Sequence, residues 1–581
     1  MNPVRQQKRS VLVADKNHFD LSHAHRTTLD FFRLQPIFCK DMMAGDSFDV
    51  NVRTFLEAAP LATKVYGSAH LDLHAFFVPS RLLWDNWNNY YLGNTRANDP
   101  LYTIPAIYGD AIYQRFGENR ENDGQFEREA RRVFSGLGYP MYAESQDNSF
   151  TLSALPARAY QQIWWDYYRD SVNIPEVDKP SYINDYYRQY TSQDIALLMV
   201  PRYRCFHKDY ISTLLRNPQL GNEAGASVTT TLSGSSSSEV QTINFSQSDN
   251  REFFGASPYP SVLRNVGANA LRASMAMQRY LERLNVTGTR PLERVFALLG
   301  VQPDKTRLDM CEFIGAKTIT VNVDGLVNNS SNVAISDTDN AFGVQKDLSG
   351  EPVGMGYQQG QSRASGQSDS FSYSATEYGY FIVIACLVPD YVNVNSVDRM
   401  FYRGLSTPNH DRFDFASVDF QGLGYQEVLA SEVFFPDHAS VERNAAWKSV
   451  RDGGSYDPYA VVGYTPKYED YRYQGDRLSG DFMSLKGRNS MPQMVYARNF
   501  SKFIDPSGLV AGLNLTTATH ADRADFDDHF VVANSEYDHF VMNNYIVCDA
   551  VRPLTANEMP TELSQLANSR LLDIANGGMR M

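Results

Sequence analysis

The sequence predicts a mainly β chain, an antiparallel sandwich that carries long, partly helical insertions. Strand-like runs recur along the chain with very long connections between them, a pattern that suits an antiparallel sandwich with insertions better than a βαβ repeat. Aromatic residues reach 13%, with 35 Tyr and 33 Phe; such rings favour pleated, half-buried surfaces and supply contact area at interfaces. Hydrophobic residues make up 43% of 581 positions, enough to bury a sizeable core. The length alone would suggest several domains, a prior that large β folds often break. No internal repeat of propeller or solenoid length is visible.

Taken in order, Ala69–Val78 alternates and then becomes fully apolar. Lys317–Val323 alternates cleanly. Tyr378–Val388 is a continuous β-branched and aromatic run, the mark of a strand buried on both faces, and Phe540–Val547 closes the series. Three helices are predicted. Ala157–Arg169 groups Tyr160, Ile163, Trp164, Tyr167 and Tyr168. Val262–Leu284 places Val262, Val266, Ala270, Met277, Leu281 and Leu284 near a 3.6 period. A third begins with Thr289 as N-cap, Pro291 in its first turn and Glu293 near its positive end. Gly221–Asn250 and Asp324–Ser374, rich in Ser, Gly, Asn and Gln, cannot form a core alone and are expected at a surface.

Charge is unevenly placed. Residues 1–40 carry Arg5, Lys8, Arg9, Lys16, Arg26, Arg33 and Lys40 against Asp15, Asp20 and Asp30, a balance of +4 in a chain of net charge −14, which leaves −18 for the remainder. A basic arm on an acidic body suits contact with a polyanion or an acidic neighbour, although an ordinary solvated tail looks the same. The five cysteines are far apart, which argues against a disulfide framework and against a CxxC zinc or redox motif. The N-terminus shows no apolar signal-peptide stretch and no window approaches ~18 apolar residues, so folding in a reducing cytoplasm without membrane insertion is expected.

Catalytic and metal signatures are weak. His70, Asp72 and His74 share one strand face, but a metal site would need further ligands, and a structural polar cluster is the plainer reading. His23 and His25 make a poorer case. Asp525, Asp527 and Asp528 before His529 miss the spacing of a calcium loop and read as a solvated acidic turn. The glycines at 354, 356 and 360, and at 422 and 424, do not form a dinucleotide fingerprint. No Walker A, HExxH or Gly-x-Ser-x-Gly pattern is present, so no catalytic residue, metal or cofactor is assigned. Arg202-Tyr203-Arg204-Cys205-Phe206-His207-Lys208 interleaves basic and aromatic residues, the chemistry that tracks a single nucleic-acid strand; a basic loop at a subunit contact is the equal alternative. The candidate nucleic-acid contacts are therefore Arg5, Lys8, Arg9, Arg202, Arg204 and Lys208.

One resemblance covers most of the chain. His18-Phe19-Asp20-Leu21-Ser22, Arg26-Thr27-Thr28, Gly45-Asp46-Ser47-Phe48 and Phe76-Phe77-Val78-Pro79-Ser80-Arg81-Leu82-Leu83-Trp84 are similar to the N-terminal signature of the major capsid proteins of small single-stranded-DNA phages, the Microviridae, and most like the gokushovirus branch. Further blocks follow in the family's order: Leu155-Pro156-Ala157-Arg158-Ala159-Tyr160, Lys208-Asp209-Tyr210 with Pro218-Gln219, Gly288-Thr289-Arg290 through Glu312-Phe313-Ile314-Gly315, Glu377-Tyr378-Gly379, and Tyr471-Arg472-Tyr473 with Gly480-Asp481-Phe482. Pro291 stands where the family has an aromatic and Tyr378 where it has histidine. Gly221–Val262 is short where gokushoviruses carry a long protruding insertion, so the protrusion is not carried over.

The resemblance implies an eight-stranded antiparallel jelly roll with long insertions, and a T=1 icosahedral shell around circular single-stranded DNA. On that reading residues 1–40 form a basic arm and 41–581 a single jelly-roll domain, with insertions at about 90–215, 221–315, 324–374 and 400–535. It further implies homo-oligomerisation through pentamers, a pilot or minor virion protein, a host surface receptor, and residence in the virion after assembly in the bacterial cytoplasm. Because the body is acidic, a separate small basic DNA-binding virion protein is also expected. The alternative is a carbohydrate-binding or carbohydrate-active β-sandwich, which would share the acidic, aromatic-rich composition.

Overall fold

A computed structural model describes residues 16–61, 64–92, 102–116, 124–141, 150–172, 174, 178–183, 189–190, 192–215, 217–219, 268–286, 290–300, 309–327, 358–393, 396–401, 420–428, 461–483, 494–498, 526, 529–530 and 537–553. Ten strands build its central sheet. They are β1 Asn17–Asp20, β2 His23–Leu29, β3 Gln35–Met42, β4 Ser47–Ala58, β5 Ala69–Pro79, β6 Glu312–Val327, β7 Gln358–Gln367, β8 Phe371–Ser374, β9 Gly379–Pro389 and β10 Phe540–Arg552. Their order is β1-β10-β4-β7-β6-β5-β9-β3, with β2 added on β10 and β8 on β4. Every pairing in this sheet is antiparallel.

The sheet curls into two leaves that share one strand. Residues 312–321 of β6 pair with β5, whereas residues 322–327 pair with β7. The long alternating strand read from Lys317–Val323 is therefore the crossing point of a jelly-roll-like sandwich. Between the leaves lie Phe48, Val50, Val52 and Leu56 of β4 and Phe540, Met542, Ile546 and Cys548 of β10, every second residue, as the two-residue period of a strand requires.

β9 is almost wholly apolar, and β5 becomes so from Ala75 onwards, because both of their faces are covered there. Helix α1, Leu155–Ile163, packs on β5 and β9 from outside, and helix α2, Gln125–Gly136, packs on β3. Gly136 makes the second contact possible: a Cβ there would collide with the Pro36 carbonyl oxygen. The opposite leaf, β2-β10-β4-β7, keeps alternate side chains exposed on its outer face.

Several expectations need correction. Residues 1–40 are not all arm, since 17–42 form three strands, and Phe31, Phe32 and Leu34 are fully buried. Phe31 packs against Tyr496, Phe526, Phe530 and Phe540, which outweighs the basic residues around it. The polar segment Asp324–Ser374 is not all loop: β7 and β8 come from its last third. Small residues let β7 lie between β4 and β6, where Ser362 and Ala364 are buried, as is Ser368 just beyond it.

The helix predicted over Ala157–Arg169 begins at Leu155, with Pro156 in its first turn, and continues as a π-helical turn over Trp164–Tyr168. Thr289 is not the N-cap of Pro291–Leu299; Arg290 holds that position with an extended backbone, and Gly300, at φ 69°, closes the helix. Of the predicted Val262–Leu284 helix, Ala268–Val286 is described and helical, and residues 262–267 lie outside the described residues. Gly221–Asn250 also lies outside them.

Candidate nucleic-acid and assembly surfaces

The basic-aromatic segment 202–208 runs over the outer face of β5, where every second residue is polar. Asp72 pairs with Arg204 and accepts a hydrogen bond from Thr318 Oγ1 at 2.6 Å. His74 Nδ1 lies 2.6 Å from the Tyr168 hydroxyl, and the two rings stack. Burial, helped by the Arg204 charge and opposed by Asp72, lowers the His74 pKa to about 4. The imidazole is therefore neutral near pH 7 and shares a hydrogen bond with the phenol. His70 Nε2 sits 3.2 Å from Asp390. The three residues that alternate on this face thus hold three different neighbours, and among the described residues no cluster of His, Cys, Asp and Glu is placed to hold a metal ion.

Arg202 and Arg204 are engaged within the chain. Arg202 donates from Nε to Gln161 at 2.6 Å and stacks 4.1 Å over the Trp164 ring. Lys208 reaches Asp170 at 3.0 Å with half of its side chain exposed. Within seven residues, Arg202 and Lys208 hold helix α1, its π-turn and Asp170 beyond it, while Arg204 holds the sheet. The sequence places the charges but cannot show their local partners. Arg5, Lys8 and Arg9 lie outside the described residues, as do Asp525, Asp527 and Asp528.

His529 packs on Phe526, His23 stacks on Phe38, and burial lowers the pKa of His25. Gly422 and Gly424 belong to a strand paired with Val461–Pro466, which leaves no phosphate-cradling turn there. All five cysteines are free thiols, and burial pushes Cys205 and Cys386 up to about 12.

One buried charge cluster escaped the sequence reading. Asp538 accepts both terminal nitrogens of Arg33, at 2.8 and 2.6 Å, together with Arg132 at 2.8 Å and Thr28 Oγ1 at 2.5 Å. Neither Arg33 nor Asp538 exposes any side-chain surface. Burial alone would raise the Asp538 carboxyl, but the two guanidinium groups outweigh it and hold the acid well below the usual carboxylate range. The cluster ties β2, helix α2 and the start of β10 together, and no local motif could have announced it.

A second surface is apolar. Helix α3, Ala268–Val286, exposes Met275, Met277, Tyr280 and Val286, and Phe296 of the following helix is 58% exposed. Met277 and Tyr280 share one side of α3 and Met275 and Val286 the other, and exposed apolar groups of this kind suit contact with another molecule.

Comparison with known proteins agrees with this architecture. Residues 10–561 match the family model described as "Capsid protein (F protein)". The capsid protein VP1 of Bdellovibrio phage phiMH2K is 24% identical over 511 residues, covering 81% of this chain and 83% of that protein. The capsid protein VP1 of Chlamydia phage 1 is 22% identical, covering 94% and 95%. Nothing in these relationships supports the carbohydrate-directed alternative. With its curled antiparallel sheet, open apolar helix and match across nearly its whole length, the chain belongs to the capsid protein (F protein) family, as a gokushovirus-like major capsid protein of the virion.

Proposed function

We propose that this capsid protein assembles through pentamers into a T=1 icosahedral shell around single-stranded DNA, and that it has no catalytic activity. The observation that carries the reading is the match of residues 10–561 to a capsid protein family, and the exposed side chains of Met275, Met277, Tyr280 and Phe296 add apolar surface that a second copy of the chain would cover. Stable contacts of this kind bury well over ~1,000 Å². Light scattering on the size-fractionated protein tests it: pentamers or larger are expected, and a well-folded monomer at micromolar concentration would overturn it.

Arg5, Lys8 and Arg9 face the interior on this reading and contact DNA or the underside of a neighbour, with Lys208 the most accessible of the 202–208 cations. So few charges cannot neutralise a genome, so a small basic virion protein shares the interior with a pilot protein. The composition of Gly221–Asn250 supports an outer position and contact with a host receptor. Assembly takes place in the host cytoplasm without membrane insertion; no described helix is long and apolar enough to cross a membrane. Glutamate at Arg5, Lys8 and Arg9 together should reduce packaged DNA, and normal packaging would remove the arm from this account.

A further inference from the structure

The open outer face of the β2-β10-β4-β7 leaf carries a specific arrangement of side chains. The pairing registers place Ala24, Tyr545, Arg53 and Gln367 in one cross-strand row, and Arg26, Asn543, Phe55 and Ser365 in the next. Each row holds one ring and one guanidinium, and the rings sit diagonally on adjacent strands, a separation of about 7–8 Å. Tyr545 is 49% exposed and Phe55 45%. Their neighbours Ala24, Ser365 and Asn543 are small, so the ring faces stand clear over a shallow depression that all of these residues line.

The charges on this face differ from those of the 202–208 segment. Arg204 is held by Asp72 and Lys208 by Asp170, and Arg202 lies on Trp164. Arg26 and Arg53 make no ion pair or side-chain hydrogen bond among the described residues. Arg363, at the margin, is taken up by Glu57 at 2.8 Å. Two guanidinium groups without a partner among the described residues, beside two open π faces, match what an unpaired nucleic-acid strand offers: phosphates for the cations and bases for the rings.

We infer that this sheet face is a binding surface for single-stranded DNA, with Arg26 and Arg53 on phosphates and Phe55 and Tyr545 stacking on bases. The inference rests on the packaging role proposed above and adds a site to it. The four side chains project from paired strands away from the core, so replacing them leaves the fold intact, which circular dichroism would verify.

The test is fluorescence anisotropy of the full-length chain with a labelled twenty-nucleotide oligothymidylate across a salt series, alongside light scattering for assembly. Arg26→Gln with Arg53→Gln should flatten the slope of log affinity against log salt by about 1.4, since each single-strand phosphate contributes about 0.7. Phe55→Ala or Tyr545→Ala should lower affinity at least about fivefold each with the slope unchanged. Wild-type affinity and slope in all variants would overturn the site while leaving assembly standing. Loss of assembly with unchanged oligonucleotide binding would also overturn it, making the face a subunit contact instead. Failure of the wild-type chain to assemble would count against the shell reading alone.

Discussion

Replacing Asp538 by asparagine would strand Arg33 in a fully buried site, where an uncompensated charge costs about 3–5 kcal/mol. Chemical denaturation of the variant should show a loss of that size. The same carboxylate sets an acid limit. Its folded pKa lies below its unfolded value near 3.9, so its contribution is complete above that value and is lost as pH falls below it. His74 acts in a higher window. Its pKa of about 4 is below the free value of 6.5, so the unfolded state takes up the proton first. Stability from this site is complete above pH 6.5 and declines as pH falls towards 4. A pH series of melting temperatures should show that decline, and His74→Gln should flatten it. Neither effect was legible in the sequence: Arg33 and Asp538 are 505 positions apart, and only the closed sheet brings them together.

Among the elements, the strongly patterned ones were the legible ones. Gly379–Pro389 was readable because its apolar run reflects cover on both sides, and Ala69–Pro79 because it alternates and then becomes fully apolar. Gln358–Gln367 was not, because Ser, Gly and Gln carry no strand signal; its place is set by partners on either side, a tertiary effect that overrides propensity. The chemistry of Arg202–Lys208 was visible in its residue types, and its engagement with Asp72, Trp164 and Asp170 was not. Gly136→Ala would press a methyl group into the Pro36 carbonyl and lift helix α2 from β3, costing about 1–3 kcal/mol in thermal or urea unfolding. On helix α3, Met277→Glu with Tyr280→Glu should leave secondary structure intact and shift the light-scattering mass towards monomer, because both side chains are exposed before assembly.

For the whole molecule, the closed register between the two ends of the chain sets a timetable. Residues 23–29 lie against 540–546, and β1 lies against the end of β10. A ribosome adds roughly 5–20 residues per second, so the first strands emerge on the order of 25–100 s before the strand that completes their leaf exists. Through that interval an N-terminal edge waits unpaired, the kind of edge that recruits the wrong partner. Polypeptides interrupted upstream of Phe540 should therefore be captured by chaperones or sediment as aggregates, which pulse-labelling of staged truncations would reveal. Completion of synthesis acts as a checkpoint: a broken message yields no subunit able to enter a particle, and the growing shell is spared defective parts without any dedicated inspection step.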